Sequence, residues 1–222
     1  RTIPFLSKCL GHSLAKLASK VLIGNSLRDL GFSSEIVPTS YAVKAPVFPF
    51  NKFLKVDPIL GPEMKSTGEV MGRGSTFGEA FGKAIKAAGD EIPTRGNIFV
   101  SVKDSDKKYL PELCQKFIEL GFNIKATKGS CKFLADKGIR VEKVNKVLEG
   151  RPHIVDEILN NEICMVINTT EGRQSIKDSF SIRRSALEHS TFLTTTISGG
   201  FAIAESLEKP SNEWNYIPLQ TS

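Results

Sequence analysis

No stretch of about eighteen consecutive apolar residues occurs in this 222-residue chain, so no helical membrane span is legible in it. The opening stretch, RTIPFLSKCLGHSLAK, lacks the apolar core and small-residue cleavage site of a secretory signal, and the cytoplasm is the expected location. Cysteine is sparse. Cys9, Cys114, Cys131 and Cys164 are scattered without a Cys-x-x-Cys pair, which argues against a disulfide framework or a zinc site. Cys114 and Cys164 sit among apolar neighbours and read as buried, reduced thiols. Only His12, His153 and His189 are available as imidazoles, and surface or capping roles are expected of them. No Ser/His/Asp set, carboxylate pair or metal-ligand spacing assembles around them. Long basic runs are also missing. The net charge is +6, but lysines and acids interleave, as in KVDPILGPEMKSTGE and VKDSDKKYLPE. Without a Lys/Arg run or an RNP-like aromatic pattern, a nucleic-acid-binding module is a weak alternative.

What is present is enough for a core, since 40% of the residues are hydrophobic. From about Gly96 onward, strand and helix signals alternate with short connections. Asn97 to Val102 reads as a strand. Asp106 to Leu120 follows as a helix with Leu110, Leu113, Cys114 and Phe117 on one face, and Gly121 stops it. The spacing then predicts strand at 123–127, helix at 130–136, strand at 139–144 and helix at 153–161. A strand at 163–167, a helix at 175–189, a strand at 192–195 and a helix at 201–207 complete the series. Such alternation predicts an α/β fold of about five mostly parallel strands with helices on both faces. Before it, Leu14 to Leu22 makes an amphipathic helix, Tyr41 to Phe48 is extended and Thr76 to Ala88 is a second helix. The intervening KVDPILGPEMKSTGEVMGRG reads mostly as turns. This first part has too few strands for a sheet of its own and reads as the mainly helical end of a larger domain. The sequence opens at Arg1, in what reads as the middle of a folded element, so a fragment or processed chain is expected.

In a parallel α/β sheet, ligands sit beyond the carboxyl ends of the strands. The first predicted strand ends on Ser101 and Lys103, with Lys107 one turn into the helix. The second ends on Thr127, Lys128, Gly129 and Ser130; the third on Asn145 and Lys146; the fourth on Asn168, Thr169, Thr170 and Gly172; the fifth on Thr194 to Thr196. Any one such loop is explained by turn and capping preferences. Recurrence at every strand end, with lysines among them, points to a phosphorylated small molecule. The set is equipped to bind rather than to react. GPEMKSTGEVMGRG is no Walker A loop, because it lacks Gly-Lys-Ser/Thr and no buried strand precedes it. The rings of Phe48, Phe50 and Phe53 are expected to pack into an absent neighbouring domain.

Taken in order, RTIPFLSK, LGPEMKSTGEVMG, NKVLEGRPHI, INTT and IRRSAL resemble the C-terminal portion of the large subunit of bacterial carbamoyl-phosphate synthetase. The resemblance covers nearly the whole chain and weakens from about Glu208. It implies that residues 1–89 are the end of the second ATP-grasp half and that 90–222 form an allosteric domain of methylglyoxal-synthase-like fold. The complete enzyme would use ATP and magnesium or manganese, bicarbonate, and ammonia from a glutaminase small subunit, supplying arginine and pyrimidine synthesis. This segment is expected to hold no cofactor or metal and to be inactive alone. Partners implied are the rest of the large subunit, the small subunit, and UMP or IMP as effectors, with oligomerisation through the allosteric domain and no nucleic acid or membrane. The implied effector pocket is Ser101, Lys107, Thr127, Ser130, Lys146, Asn168, Thr170 and Ser179.

Two departures from the family pattern limit that transfer. Members that bind ornithine carry an acid after the YxVK strand and a Tyr-Asp-Thr stretch; here these positions are Ala45 and Leu193-Thr194-Thr195. Ornithine regulation is therefore expected to be weak or absent. Methylglyoxal synthases carry a Gly-Gly-Asp stretch that supplies the catalytic base. Here Glu149-Gly150-Arg151 stands in its place, and arginine cannot serve as that base. A free-standing lyase is thus the other weak alternative.

Overall fold

Residues 2–53, 56–216 and 218 are described by the computed structural model. Arg1, which opens RTIPFLSK, and Lys55, which opens KVDPILG, lie outside them. Helices α1 (Thr2–Leu10) and α2 (Leu14–Leu22) pack on each other and fully bury none of their residues. Strand β1 (Tyr41–Val47) then pairs antiparallel with β2 (Gly68–Gly74), Tyr41 opposite Gly74 and Val47 opposite Gly68. The stretch read as turns therefore contains a strand, and the first part sets a two-stranded ribbon beside its three helices. Its glycines mislead because they serve close approach rather than turning: a Cβ on Gly72 would lie 2.0 Å from the Ala80 carbonyl oxygen. Ala80 belongs to α3 (Phe77–Ala88), which Thr76 caps by accepting the Glu79 amide at 3.2 Å, and which Gly89 ends at a φ of +96°.

The second part begins at β3 (Asn97–Ser101) and passes through a 3-10 turn at 104–109 into α4 (Leu110–Glu119). There follow β4 (Asn123–Ala126), α5 (Lys128–Ala135), β5 (Glu142–Lys143), α6 (Ile154–Leu159) and β6 (Met165–Asn168). Helices α7 (Arg173–Asp178) and α8 (Phe180–Glu188), β7 (Phe192–Thr194) and α9 (Ile197–Leu207) finish the domain. All five strands are parallel, in the order β5-β4-β3-β6-β7. The predicted strand at 139–144 shrinks to two residues because it is an edge with both side chains in solvent, although the Val144 amide still reaches the Ala126 carbonyl at 2.9 Å. The helix predicted over 175–189 is two helices meeting at Ser179. The last helix starts at Ile197, ahead of the expected Phe201, because the Thr196 hydroxyl accepts the Gly199 amide at 3.0 Å.

The two faces of the sheet sort by alternation. Ile98, Val100, Ile124, Ala126, Met165 and Ile167 pack against α4 and α9, whereas Phe99, Val144 and Val166 pack against α6 and α8. Strands buried on both faces read as continuous apolar runs, which is why the period-2 signal is weak here. Cys114 is buried and Cys164 half-buried in this core. All four cysteines are free thiols, and burial pushes Cys114 up to about 12 and Cys164 to about 11. Such thiols are unreactive.

Helix α3 of the first part lies against α9 of the second, with Gly78 at the crossing. Phe50 is buried within this chain, stacked on Phe48 with ring centroids 5.1 Å apart. Of the three rings expected to pack into an absent neighbour, Phe53 stays largely exposed.

Candidate functional site

Strand order reverses at β3: the chain moves from β3 to β4 and β5 on one side, then crosses to β6 and β7 on the other. The crevice between the carboxyl ends of β3 and β6 is the topological switch point, where such sheets bind ligands. Ser101 and Asn168 face each other there as registered partners, and the Asn168 amide nitrogen donates to the Ser101 carbonyl at 3.2 Å. Asn168 is 1% exposed.

One strand over, β4 delivers the chain into α5 at Thr127. Thr127 is buried in the N-cap position, yet its side chain makes no capping hydrogen bond. The Lys128, Gly129 and Ser130 amides precede the first intrahelical donor, the Cys131 amide bonded to the Thr127 carbonyl at 2.8 Å. Free amides and the helix dipole there favour an anion. Lys107 adds a full charge across from them, because a Cβ on Gly129 would lie 3.6 Å from its Nζ. Its present partner is Asp104, at 2.7 Å and almost wholly in solvent. The hydrogen bond from Lys107 holds the Asp104 carboxyl below the usual carboxylate range. An exposed pair of this kind is a weak competitor for an incoming phosphate.

Lys146 follows the edge strand in a turn closed by the Glu149 amide on the Lys146 carbonyl at 2.9 Å and the Lys146 amide on Glu149 Oε2 at 3.0 Å. Its side chain is exposed, without an ion pair among the described residues. Thr170 borders a cleft of about 510 Å³ with Lys103, Tyr109, Thr169, Thr195 and Thr196. The Lys103 amide donates to Thr169 Oγ1 at 3.1 Å, so the β3 and β6 loops are tied together at the floor of this cleft. Ser130 is buried in the first turn of α5. Ser179 lies at the α7–α8 junction, and its side chain makes no hydrogen bond to the other seven residues.

The histidines stand apart from these groups. His153 caps α6, its ring nitrogen accepting the Asp156 amide at 3.3 Å while its own amide donates to Asp156 at 3.0 Å. His189 contacts the Ser185 carbonyl and His12 meets Phe32 edge-on. Arg151 is mostly exposed and 3.7 Å from Asp156. A further cavity of about 410 Å³ lies at the amino end of the sheet, between α3, α9 and Trp214. It touches none of the strand-end residues, and the strand-end cleft is the better candidate because loops and helix N-termini converge there. Its donors are ammonium, hydroxyl and amide groups. Among the described residues, no three of His, Cys, Asp or Glu come together as a metal-holding group.

Residues 109–195 match the model of the MGS-like domain. Over that span the chain is similar to the MGS-like domain. Thr127, Ser130, Lys146, Asn168, Thr170 and Ser179 fall inside the matched span; Ser101 and Lys107 precede it, on the same sheet. The chain as a whole is similar to carbamoyl phosphate synthase large chains. It is 57% identical over 208 residues to that of Pseudomonas syringae pv. tomato, covering 94% of this chain and 19% of the relative. The Pseudomonas putida large chain is 56% identical over the same coverage, and that of Pasteurella multocida 51% identical over 209 residues, 94% of this chain and 20% of the relative. The match is to the C-terminal portion of the large chain. The chain thus spans about a fifth of the length of the curated relatives it matches.

Sequence reasoning missed one residue beside this crevice. Arg183 is fully buried and donates to Asn168 Oδ1 at 3.0 Å. The only signal was the pair of arginines in IRRSAL, set at the start of an apolar helix.

Proposed function

We propose that this chain is the regulatory C-terminal part of a carbamoyl phosphate synthase large chain, and that its MGS-like domain binds a nucleoside monophosphate, UMP or IMP. Occupancy would control ATP-dependent synthesis of carbamoyl phosphate from bicarbonate and glutamine-derived ammonia, for arginine and pyrimidine synthesis. The catalytic centre, with its ATP and magnesium or manganese, would belong to the remainder of the large subunit, and a glutaminase small subunit would supply ammonia. Residues 1–89 would be the end of an ATP-grasp half. Cytoplasmic location and oligomerisation through the MGS-like domain go with the same reading.

The observation that carries it is the position of the Lys107 ammonium over the uncapped first turn of α5. A phosphate there receives backbone donors, the Thr127 and Ser130 hydroxyls, and one full charge. Lys146, from the neighbouring edge strand, would close the phosphate from outside, and Asn168 and Thr170 would face the ribose or base. Glu149-Gly150-Arg151 puts an arginine, which cannot act as a base, where a lyase carries its catalytic aspartate, so the site would hold its ligand unchanged.

Calorimetric titration of UMP and IMP tests this directly, with the chain and with the complete large chain. One of the two binds, and Lys107→Ala or Lys146→Ala weakens it about tenfold or more, as expected for a lost charge-assisted hydrogen bond of about 1.5–3 kcal/mol. Absence of binding to both proteins, each folded by circular dichroism, overturns the reading.

A further inference from the structure

Two consecutive arginines of α8 reach back to a segment more than a hundred residues earlier. Arg183 donates through Nε and Nη2 to the two carboxylate oxygens of Asp57, at 2.8 and 2.5 Å. Nη2 also donates to the Ile176 carbonyl at 2.8 Å, and Nη1 to Asn168 Oδ1 at 3.0 Å. Arg184 beside it donates to the Phe53 carbonyl at 3.2 Å. With the Asn168 amide on the Ser101 carbonyl, the result is an unbroken path from the strand-end crevice to the segment around Asp57.

Each link is constrained. A guanidinium only donates, so it forces the oxygen of the Asn168 amide toward itself and the NH₂ toward Ser101 and the crevice. One of the two NH₂ hydrogens serves Ser101, and the other is the one a ligand at the crevice would draw on. Arg183 is fully buried and cannot exchange a protein partner for bulk water. A ligand that draws on Asn168 must therefore be answered at the guanidinium, and the guanidinium can answer only against Ile176 or Asp57. Fork geometry makes the Asp57 contact directional.

We propose that Arg183 is a positioning residue with two connected effects: it orients Asn168 as a donor for the bound ligand, and it transmits occupancy to the Asp57 segment of the first region. This rests on the reading of the crevice as a nucleotide site. A merely structural clamp would show the same bonds, but its loss would lower stability without altering communication between sites. Coupling between two ligands is reciprocal, so it can be read from binding alone.

The test uses the complete large chain with its small subunit, comparing wild type, Asp57→Asn and Asp57→Glu. The dissociation constant of UMP or IMP is measured with and without saturating ATP, and the ratio of the two is the readout. In the wild type the ratio departs from one by about fivefold or more. Asp57→Asn brings it to within about twofold of one while nucleotide affinity without ATP changes by less than about threefold, and Asp57→Glu restores part of the coupling. If Asp57→Asn does not fold, Arg183→Lys, which keeps the charge and loses the fork, is read by the ratio alone, with nucleotide affinity expected to fall as well because Asn168 loses its orienting donor. A wild-type ratio preserved in Asp57→Asn, or in Arg183→Lys where that replaces it, overturns the relay and leaves the nucleotide site standing. So does a wild-type ratio of one. No binding to the wild type overturns the site and the relay together.

Discussion

Glu79 shows how a single acid can hold two parts of the molecule together. It is buried on α3 and meets Lys83 at 2.7 Å, the Ser75 hydroxyl at 2.9 Å and the Asn215 amide at 3.2 Å; Lys83 in turn donates to the Asn215 carbonyl. Burial alone would raise its pKa, but the bonds from Lys83, Ser75 and Asn215 outweigh it and hold the carboxyl at about 2, from an ordinary 4.5. A carboxyl depressed on folding adds stability that is complete above its unfolded pKa and disappears as pH falls through the folded one. Stability measured by urea unfolding should therefore decline between about pH 4.5 and pH 2, and Glu79→Gln should flatten the decline by up to one proton of slope. An unchanged profile in the variant would show that other carboxylates set the acid limit. Lys107 and Lys146 bear on binding instead, and their loss is read in nucleotide affinity.

At the scale of elements, small residues decide which surfaces meet. A Cβ on Gly78 would lie 2.4 Å from the Glu205 carbonyl oxygen, so α3 and α9 cross only because that side chain is absent. Gly78→Ala must push two backbones apart, and overpacking of that kind costs about 1–3 kcal/mol. A thermal unfolding midpoint lowered by several degrees is the expected result; an unchanged midpoint would mean that the helices can slide at no cost. Strand β2 carries the same lesson. GEVMGRG was illegible as a strand because glycine is a turn signal in sequence, whereas here Gly72 makes room for α3. The broken helix at 173–188 was hidden for a related reason. Local periodicity runs through Ser179, but Arg183 lies one turn beyond, and its buried bonds to Asp57 and Asn168 set where that turn must sit.

Across the whole molecule, the described residues join the two parts through α3 on α9, through the arginines of α8 on Phe53 and Asp57, and through Trp214 on Gly82. Trp214 is the single tryptophan, so its fluorescence reports on the docking of α3, while far-ultraviolet circular dichroism reports mainly on the sheet domain and its helices. Joined in this way, the parts should unfold together, with coincident urea transitions by the two probes. A fluorescence transition that precedes the other would show that α3 and the ribbon melt as a separate unit. The remaining surface is less closed: α1 and α2 bury no residue fully, and Leu22 and Ile23 stay in solvent.

Composition and periodicity by themselves determined the α/β class, the five parallel strands and the polar character of every strand end, because each depends on neighbours within a few residues. The resemblance added the family, and with it the expected effector. Tertiary structure alone decided the rest. It set the strand order and hence the switch-point crevice, placed Lys107 over α5, turned a glycine-rich loop into a strand, and buried Arg183 between Asp57 and Asn168. These depend on contacts between residues up to 126 positions apart. No local pattern encodes such a contact, since what selects it is the burial of a charge that only a distant partner can satisfy.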